Sequence, residues 1–364
     1  MGLAAAADLR ARGLDVEVVE RRATTAGGTR AIGIHSPALA ALEAAGATDE
    51  LLARAVRIRR GEARADGSVL AAIRFDRLRA RHPYVAALPQ AETVEVLTSL
   101  APPVRHGIEV VGLHDDGARV RVRATGAHGD EEITAAVVIV ASGWSGRALV
   151  YRPGAVRTRR YPDRYVMADV VAPGEATALV HLDRSGVVES FPLPDGRRRL
   201  VAWDDPATDA TGDPAARLQR AVAERAGLDL RITDATTFGV RRAVAPALRH
   251  GRIVVVGDAA HEVSPIGGQG MNLGLLDALT LAPLLAPWVR NGREAPLERW
   301  ERDRLASARH AARLAFLNTV LGRAAGAGAH SVRTAAVRAG LRGAGGALFT
   351  RAYAMRFDRA ARGL

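Results

Sequence analysis

Hydrophobic positions along the chain follow two spacings, that of amphipathic helices and that of strands. Near the start, an Ala/Leu-rich run ends at Gly13, and an apolar strand pattern follows it. The pattern predicts helices over 3–12, 38–45, 90–97, 214–227 and 268–285, and strands over 16–19, 137–141, 236–240 and 252–256. Helices alternating with strands indicate an α/β fold with a parallel sheet.

Other strand patterns follow one another without helices between them. They cover 58–75, with a turn at 65–68, a hairpin of 108–113 with 120–123, and the strands 166–171, 177–182, 187–192 and 199–203. Strands without crossover helices indicate an antiparallel sheet, inserted here into the α/β part. Beyond Pro296 the pattern is helical, with a Gly/Ala/Arg-rich stretch at 322–346 that we expect to be partly irregular.

Composition excludes several kinds of chemistry. The 364 residues include no cysteine, which excludes disulfides, thiolate metal sites and a cysteine nucleophile and fits a reducing, cytoplasmic location. The sequence also contains no lysine, so a Schiff-base lysine and a Walker lysine are excluded. No His and carboxylate spacing typical of a metal site is present, and we predict no metal.

The net charge of +12 raises the alternative of a nucleic-acid binder. The arginines are dispersed, and aromatic residues make up only 4% of the chain, too few for a stacking platform. We therefore expect no specific nucleic-acid binding. No apolar stretch approaches the roughly 20 residues of a membrane helix, so no membrane span is expected.

The most specific motif follows the strand at 252–256. It reads Gly257-Asp258-Ala259-Ala260-His261 and continues as Pro265-Ile266-Gly267-Gly268-Gln269-Gly270-Met271-Asn272 into the long helix. An Asp at a strand end can accept hydrogen bonds from sugar hydroxyls, and glycines let the backbone approach a flat ligand closely. The free N–H groups of a helix start favour an anion. The alternative is an ordinary turn with glycines.

With this motif the chain resembles the FAD-dependent aromatic hydroxylases of the para-hydroxybenzoate hydroxylase type. The resemblance implies that Asp258 holds the ribityl chain of FAD and that Pro265, Gly267 and Gly268 form the flavin-facing loop. Downstream, Trp300-Glu301-Arg302-Asp303-Arg304 is similar to a segment that usually follows in the family. The cofactor-binding residues that we predict are Gly2, Glu20, Arg21, Arg30, Gln90, Gly257, Asp258, Pro265, Gly268, Gly270, Met271 and Asn272.

Glu20 is also predicted by the local sequence pattern, apart from the resemblance. Glu20 ends the first strand eighteen positions after Gly2, where a dinucleotide fold places the acid that binds the adenosine ribose. A surface Glu at a strand end is the alternative. The resemblance places Arg30, after Gly27-Gly28-Thr29, and Gln90, after Pro89, near the cofactor. His261 is a tempting base, but we expect a structural role for it.

The sequence departs from the family in two places. The family has a first strand and a Gly-x-Gly-x-x-Gly turn before this point, whereas the chain begins at Met1-Gly2, as in an N-terminally truncated member. We expect unpaired backbone on both neighbouring strands and a groove between them. In Ala141-Ser142-Gly143-Trp144-Ser145-Gly146-Arg147, Ser142 replaces the family's Asp, and Ser145 and Arg147 are out of register. Gly143 can still form the tight turn.

The resemblance implies an α/β fold: an FAD-binding Rossmann-like domain lacking its first strand, an inserted antiparallel β-sheet substrate domain and a helical C-terminal tail. We predict the FAD-binding domain at 1–56, 84–158 and 236–292, a hairpin of the substrate domain at 57–83, the substrate-binding β domain at 159–235 and C-terminal helices at 293–364.

The implied function is that of a monooxygenase. In the family, NAD(P)H reduces FAD as a transient reductant, O₂ forms a flavin C4a-hydroperoxide, and one oxygen atom hydroxylates an aromatic or polyketide-like small molecule. The arginines at 197–199 and 241–242 could attract an acidic substrate or be solvated. Two alternatives stay open, namely an FAD-dependent oxidoreductase without oxygen insertion and a non-catalytic flavoprotein remnant.

Overall fold

A computed structural model gives the fold and describes residues 1–24, 31–207, 212–292, 296–341, 343–355 and 357–358. The helices in this part of the chain are α1 Gly2–Ala11, α2 Ser36–Leu42, α3 Thr48–Arg54, α4 Gln90–Leu100, α5 Pro214–Ala226, α6 Gln269–Asn291, α7 Leu297–Leu321, α8 Ala327–Gly340 and α9 Gly343–Tyr353. The predicted helices are all present, with bounds shifted by a few residues.

The strands are shorter near the N-terminus and longer in the middle of the chain. They are β1 Val18–Glu20, β2 Gly33–Ile34, β3 Val56–Ile58, β4 Arg60–Ala65, β5 Ser68–Arg74, β6 Val85–Ala87, β7 Val104–His106, β8 Glu109–Asp115, β9 Val120–Gly126, β10 Gly129–Ala135, β11 Val138–Val140, β12 Thr158–Val171, β13 Thr177–Asp183, β14 Gly186–Pro192, β15 Arg197–Asp204, β16 Thr236–Val244, β17 Arg249–His250, β18 Ile253–Val255 and β19 His261–Glu262.

The parallel strands of the α/β part form two separate hydrogen-bonded groups. β1 pairs with β7, and β11 pairs with β18. Neither β1 nor β11 has a second strand neighbour within the described ranges. The apolar residues Val18 and Ile139 are consequently only half-buried, whereas β18 is buried throughout. The unpaired edges expected from the sequence are therefore present.

An eight-stranded sheet forms the second layer, in the order β19-β16-β12-β15-β14-β13-β4-β5. Neighbouring strands are antiparallel except for β13 and β4, which are parallel. The hairpin of β4 and β5 turns at Asp66 and Gly67, both with positive φ, as in a tight hairpin turn. Helix α5 packs against one face of this sheet and buries Leu218 and Val222.

One prediction needs correction, and two others gain detail. The strand at 236–240, which we placed in the FAD-binding domain, is β16, which extends to Val244 and pairs with β12 of the large sheet. The hairpin at 108–123 gains a third strand, β10, so that β8, β9 and β10 form one antiparallel sheet. The stretch at 322–346 is partly irregular, as expected, because residues 322–326 precede α8, while 327–340 and 343–346 lie in α8 and α9. The other domain bounds stay predictions.

Helix α6 lies at the centre of the molecule. It contacts α1, α2 and α7, and the buried residues Leu273, Leu275, Leu281 and Leu285 connect it to two hydrophobic clusters. By length and composition α6 could cross a membrane, but 72% of its most apolar window is buried inside the protein, as is typical of a core helix. Its position brings the glycine-rich segment before it into the interior.

Candidate functional site

A connected cavity of about 2330 Å³ extends from β1, past the start of α6, to the large sheet. Pockets for one small ligand usually measure about 300–1,000 Å³, so this cavity can hold a dinucleotide together with a second molecule. Its wall includes β1 and β11, each with one unpaired edge among the described residues, at one end and β12, β14 and β15 at the other.

The turn after β18 presents a carboxylate to the cavity. Residues Gly257–Ala259 form a single 3₁₀ turn in which Gly257 and Ala259 are buried. Asp258 between them is exposed, lines the cavity and makes no side-chain hydrogen bond to another described residue. Its oxygens are free to accept hydrogen bonds from ligand hydroxyl groups, as the sequence predicts.

The glycine-rich segment at the start of α6 forms an adjacent part of the wall. Pro265, Gly267, Gly268, Gly270 and Met271 all line the cavity. Gly267 has φ +99°, and a Cβ there would lie 2.8 Å from the Asn318 amide nitrogen, so the position requires glycine. With the first N–H groups of α6 beside it, this surface suits a flat ligand that carries negative charge.

Buried charges support this turn and helix from beneath. The Asp277 carboxylate accepts hydrogen bonds from His261 Nε2 (2.6 Å), Gly257 N (3.0 Å) and Arg304 Nε (2.7 Å). Burial alone raises the pKa of Asp277, but His261 and Arg304 outweigh it and lower that pKa to about 2. Arg304 also binds Asp358. His261 is buried in this network, which agrees with the structural role expected for it.

Asn272 supports the loop as well. Its Oδ1 accepts from His35 N at 2.8 Å, and its Nδ2 donates to Gly33 O (2.8 Å) and Gly268 O (3.0 Å). The side chain is fully buried and is not part of the cavity wall, and neither is Gly257. The positions of Asn272 and Gly257 therefore fit the role of holding the backbone of the site in place, and a direct contact with a cofactor stays a prediction for them.

The predicted residues of the N-terminal half that the structure describes also line the cavity. Gly2, Glu20, Arg21 and Gln90 all line it. Burial alone raises the pKa of Glu20, but hydrogen bonds from Arg22 reverse the shift and keep this pKa below its usual value. Arg21 donates to Ser145 Oγ at 3.1 Å. Arg30 and the glycines before it lie outside the described residues.

Arg147 is a residue of the site that sequence reasoning missed. It donates from Nη2 to Asp258 O (2.7 Å), from Nε to Ala259 O (3.1 Å) and from Nη1 to Glu262 (2.9 Å). Arg147 thus holds the turn that presents Asp258. Gly143 has φ +70° and ψ −173°, a conformation that only glycine adopts readily, and it allows the chain to leave β11 toward Arg147. Arg147 does not align with the arginine of the family's motif, so the sequence did not indicate this contact.

The arginines considered as substrate ligands mostly have partners inside the protein. Arg198 donates to Ser190 Oγ and to three backbone carbonyls, and it is buried. Arg199 forms two hydrogen bonds with Asp169, and Arg241 lies 3.4 Å from Glu262. The cavity wall on this sheet is otherwise mainly apolar and includes Met167, Val187, Val201 and Phe238, and Val337 of α8 lies against them.

The described residues contain no group of three or more His, Asp or Glu side chains placed to hold a metal ion. An exposed Asp258 without a hydrogen-bond partner, a glycine-only loop at a helix start and a cavity of this size fit an FAD molecule. The fit rests on Asp258, on Gly267 with the first turn of α6, and on Glu20 and Gln90, which line the same cavity.

Comparisons with known proteins agree with this assessment. Residues 1–315 match the family described as FAD binding domain. The chain is 31% identical over 326 residues to 6-methylpretetramide 4-monooxygenase of Streptomyces rimosus, covering 84% of this chain and 57% of that protein. It is 29% identical over 339 residues to rifampicin monooxygenase of Streptomyces venezuelae, covering 88% and 67% of the two chains.

A solved structure has a similar fold along nearly the whole chain. The crystal structure of p-nitrophenol 4-monooxygenase from Pseudomonas putida superposes with a TM-score of 0.85 at 22% identity, covering 99% of this chain and 95% of the other. The chain spans less than three fifths of the length of two Streptomyces rimosus relatives that it matches, 57% and 59%.

Proposed function

Since the chain belongs to the FAD-binding-domain family, we propose that it is an FAD-dependent monooxygenase acting on an aromatic or polyketide-like small molecule. The observation that carries the proposal is the continuity of the cavity, which joins a dinucleotide-sized region at Glu20 and Asp258 to an apolar region at the large sheet. Relatives named as monooxygenases of 6-methylpretetramide, anhydrotetracycline and rifampicin support this substrate class.

The residues present have defined tasks in this reaction. Asp258 would accept hydrogen bonds from the ribityl hydroxyls of FAD, and Glu20 would bind its adenosine ribose. Gln90 would contact the cofactor as well, and the first N–H groups of α6 would stabilise negative charge on the ring. When bound, FAD supplies the redox chemistry between NAD(P)H and O₂. The apolar face of the sheet orients the aromatic ring and excludes water. In this proposal no side chain acts as a nucleophile.

The balanced reaction sets the experiment. One NAD(P)H, one proton, one O₂ and one aromatic C–H give NAD(P)⁺, water and an aromatic C–OH. The FAD-loaded protein is incubated with NADH or NADPH under ¹⁸O₂ and with p-nitrophenol, anhydrotetracycline or rifampicin as substrate. We expect one ¹⁸O atom in the product, detected by mass spectrometry.

The alternatives give different results in the same assay. An oxidoreductase without oxygen insertion converts substrate and gives a product without ¹⁸O, and a non-catalytic remnant gives no product. No described contact favours either of them. We also place the protein in the cytoplasm, since the absence of cysteine fits a reducing compartment. Its partners in this proposal are a small aromatic molecule and O₂.

A further inference from the structure

An acidic side chain stands in the apolar wall of the cavity. Glu189 lies in the middle of β14 and is 5% exposed. Its position lines the cavity, and its carboxyl makes no hydrogen bond or ion pair with another described residue. Burial without a partner is costly for a carboxyl group, so such a group requires a role.

The neighbours of Glu189 on the same face of the sheet are apolar or aromatic. Val201 of β15 lies directly opposite it in the ladder, and Val187 and Phe191 flank it on the same face. All three line the cavity as well. Arg199, opposite Phe191, is the nearest charged residue of this face on β15, and Asp169 holds it. Glu189 is thus an acidic group without a partner among side chains that suit an aromatic ring.

This part of the wall adjoins the flavin-facing loop. Ile266, which precedes Gly267, belongs to the same hydrophobic cluster as Val187 and Val201, the neighbours of Glu189. The Tyr353 ring lies 3.7 Å from the Cβ position of Gly267. A molecule in contact with both Glu189 and this loop lies where the proposed function requires the substrate.

We propose that the Glu189 carboxyl is the substrate-recognition group of the cavity and accepts a hydrogen bond from a hydroxyl group on the aromatic substrate. The proposal rests on the proposed function and specifies the substrate class as hydroxylated aromatic compounds, with Glu189 as the residue that distinguishes them. When a phenol donates a hydrogen bond to a carboxylate, its aromatic ring becomes more electron-rich. A more electron-rich ring reacts more readily with the oxygen atom that the proposed reaction transfers to it.

Burial raises the pKa of Glu189 to about 7, so the carboxyl ionises near neutrality. A carboxylate is a stronger acceptor than the neutral acid, and affinity for a hydroxyl donor therefore rises as the pH increases through 7. The other titratable groups around this part of the cavity are Tyr165 of β12, Tyr353 of α9, Arg199 of β15 held by Asp169, and Glu62 of β4 held by Arg60 and Arg64. Burial raises the pKa of both tyrosines, so they stay neutral over this range.

The test compares two probes that differ in one hydrogen-bond donor, 2-naphthol and 2-methoxynaphthalene. Their affinities for the FAD-loaded protein are measured by fluorescence titration at pH 6 and pH 8. We expect the wild type to bind 2-naphthol about five- to tenfold more tightly at pH 8 than at pH 6, with no such change for the methyl ether.

Variants show whether Glu189 causes the pH-dependent affinity for 2-naphthol. Glu189→Gln keeps the shape of the side chain and is expected to abolish this pH dependence. Glu189→Asp keeps the charge and is expected to retain part of it. Glu175→Gln, at an exposed carboxyl just before β13, serves as the control and is expected to behave as the wild type. Retention of the full pH-dependent preference in Glu189→Gln, or its absence in the wild type, would overturn the proposal.

A separate measurement, the flavin absorbance of the protein, distinguishes failure of the proposed function from failure of the Glu189 proposal. If the protein carries no flavin absorbance after incubation with FAD, the monooxygenase proposal fails. The same titrations on the flavin-free protein then decide the role of Glu189, since the wall that holds it is built from the chain alone.

Discussion

Replacement of Arg304 by methionine tests the buried charge network that holds the Asp258 turn and the start of α6. The Arg304 side chain is 0% exposed and donates hydrogen bonds to Asp277, to Asp358 and to the backbone carbonyl of Leu273. Methionine is of similar length and lacks the charge. The variant leaves Asp277 with His261 and the Gly257 N–H as partners and removes the hydrogen bond from the guanidinium to Asp358.

The magnitude follows from the pKa of Asp277, which is about 2 in the folded protein against an ordinary value of 3.8. At about 1.4 kcal/mol per pKa unit, this shift contributes about 2 kcal/mol to the free energy of unfolding at pH 7. Removal of one partner from a buried ion pair costs about 3–5 kcal/mol. We therefore expect Arg304→Met to lower the free energy of unfolding by about 3–5 kcal/mol.

The sign of the pH dependence is fixed by the direction of the shift. Because the pKa of Asp277 is lowered by folding, its stabilising contribution is complete above the unfolded-state pKa near 4 and is lost as the pH falls toward 2. The wild type accordingly loses about 1 kcal/mol of this contribution by pH 3. In Arg304→Met, protonation removes the uncompensated charge of the buried carboxylates and thereby stabilises the variant. The free energies of unfolding of the two proteins therefore become more similar at acidic pH.

Urea unfolding followed by circular dichroism at pH 7 and pH 3 measures both effects. Arg302→Met, at an exposed arginine of the same helix, is the matched control and is expected to change the free energy of unfolding by less than about 0.5 kcal/mol. A deficit for Arg304→Met below about 1 kcal/mol at pH 7, or one that does not shrink at pH 3, would refute the reasoning.

Two further substitutions test the turn at Asp258. Arg147→Met removes the hydrogen bonds to Asp258 O and Ala259 O, and we expect it to weaken FAD binding at least about tenfold in a fluorescence titration; unchanged affinity would show that Arg147 does not position the turn. Gly143→Ala forces a side chain into φ +70°, ψ −173°, and we expect a loss of about 1–3 kcal/mol in thermal unfolding, whereas Gly328→Ala inside α8 is expected to lose nothing.

The local features of the site could be predicted from the sequence. The segment at 257–272 combines a strand end, an Asp, several glycines and a helix start within sixteen residues, so its conformation depends mostly on neighbours in the chain. The structure accordingly places Asp258, Pro265, Gly267 and Gly268 on the cavity wall.

Features that depend on distant residues could not be predicted in this way. The Arg147 contacts join positions 111–115 residues apart, and Asn272 binds backbone atoms near residue 35, more than 230 positions away. The pairing of β16 with β12 is of the same kind. Hydrophobic periodicity reports which face of an element is buried and carries no information on which remote segment covers it.

The burial of Arg198 and Arg199 has a related cause. A run of three arginines normally indicates a solvated surface, and Arg197 agrees with that. In β15, however, Arg198 donates a hydrogen bond to the Ser190 hydroxyl, and Arg199 donates to Asp169, both on neighbouring strands. These partners can be identified only when the order of the strands in the sheet is known.

The central claim is that the cavity between Glu20 and the start of α6 binds FAD. Its most direct test is the visible absorption spectrum of the protein after incubation with excess FAD and gel filtration, for the wild type and for Asp258→Asn. The account predicts bound flavin at close to one molecule per wild-type chain and markedly less in Asp258→Asn, with Asp229→Asn, at an exposed position outside the cavity, matching the wild type. A wild-type protein that elutes without flavin absorbance would contradict it.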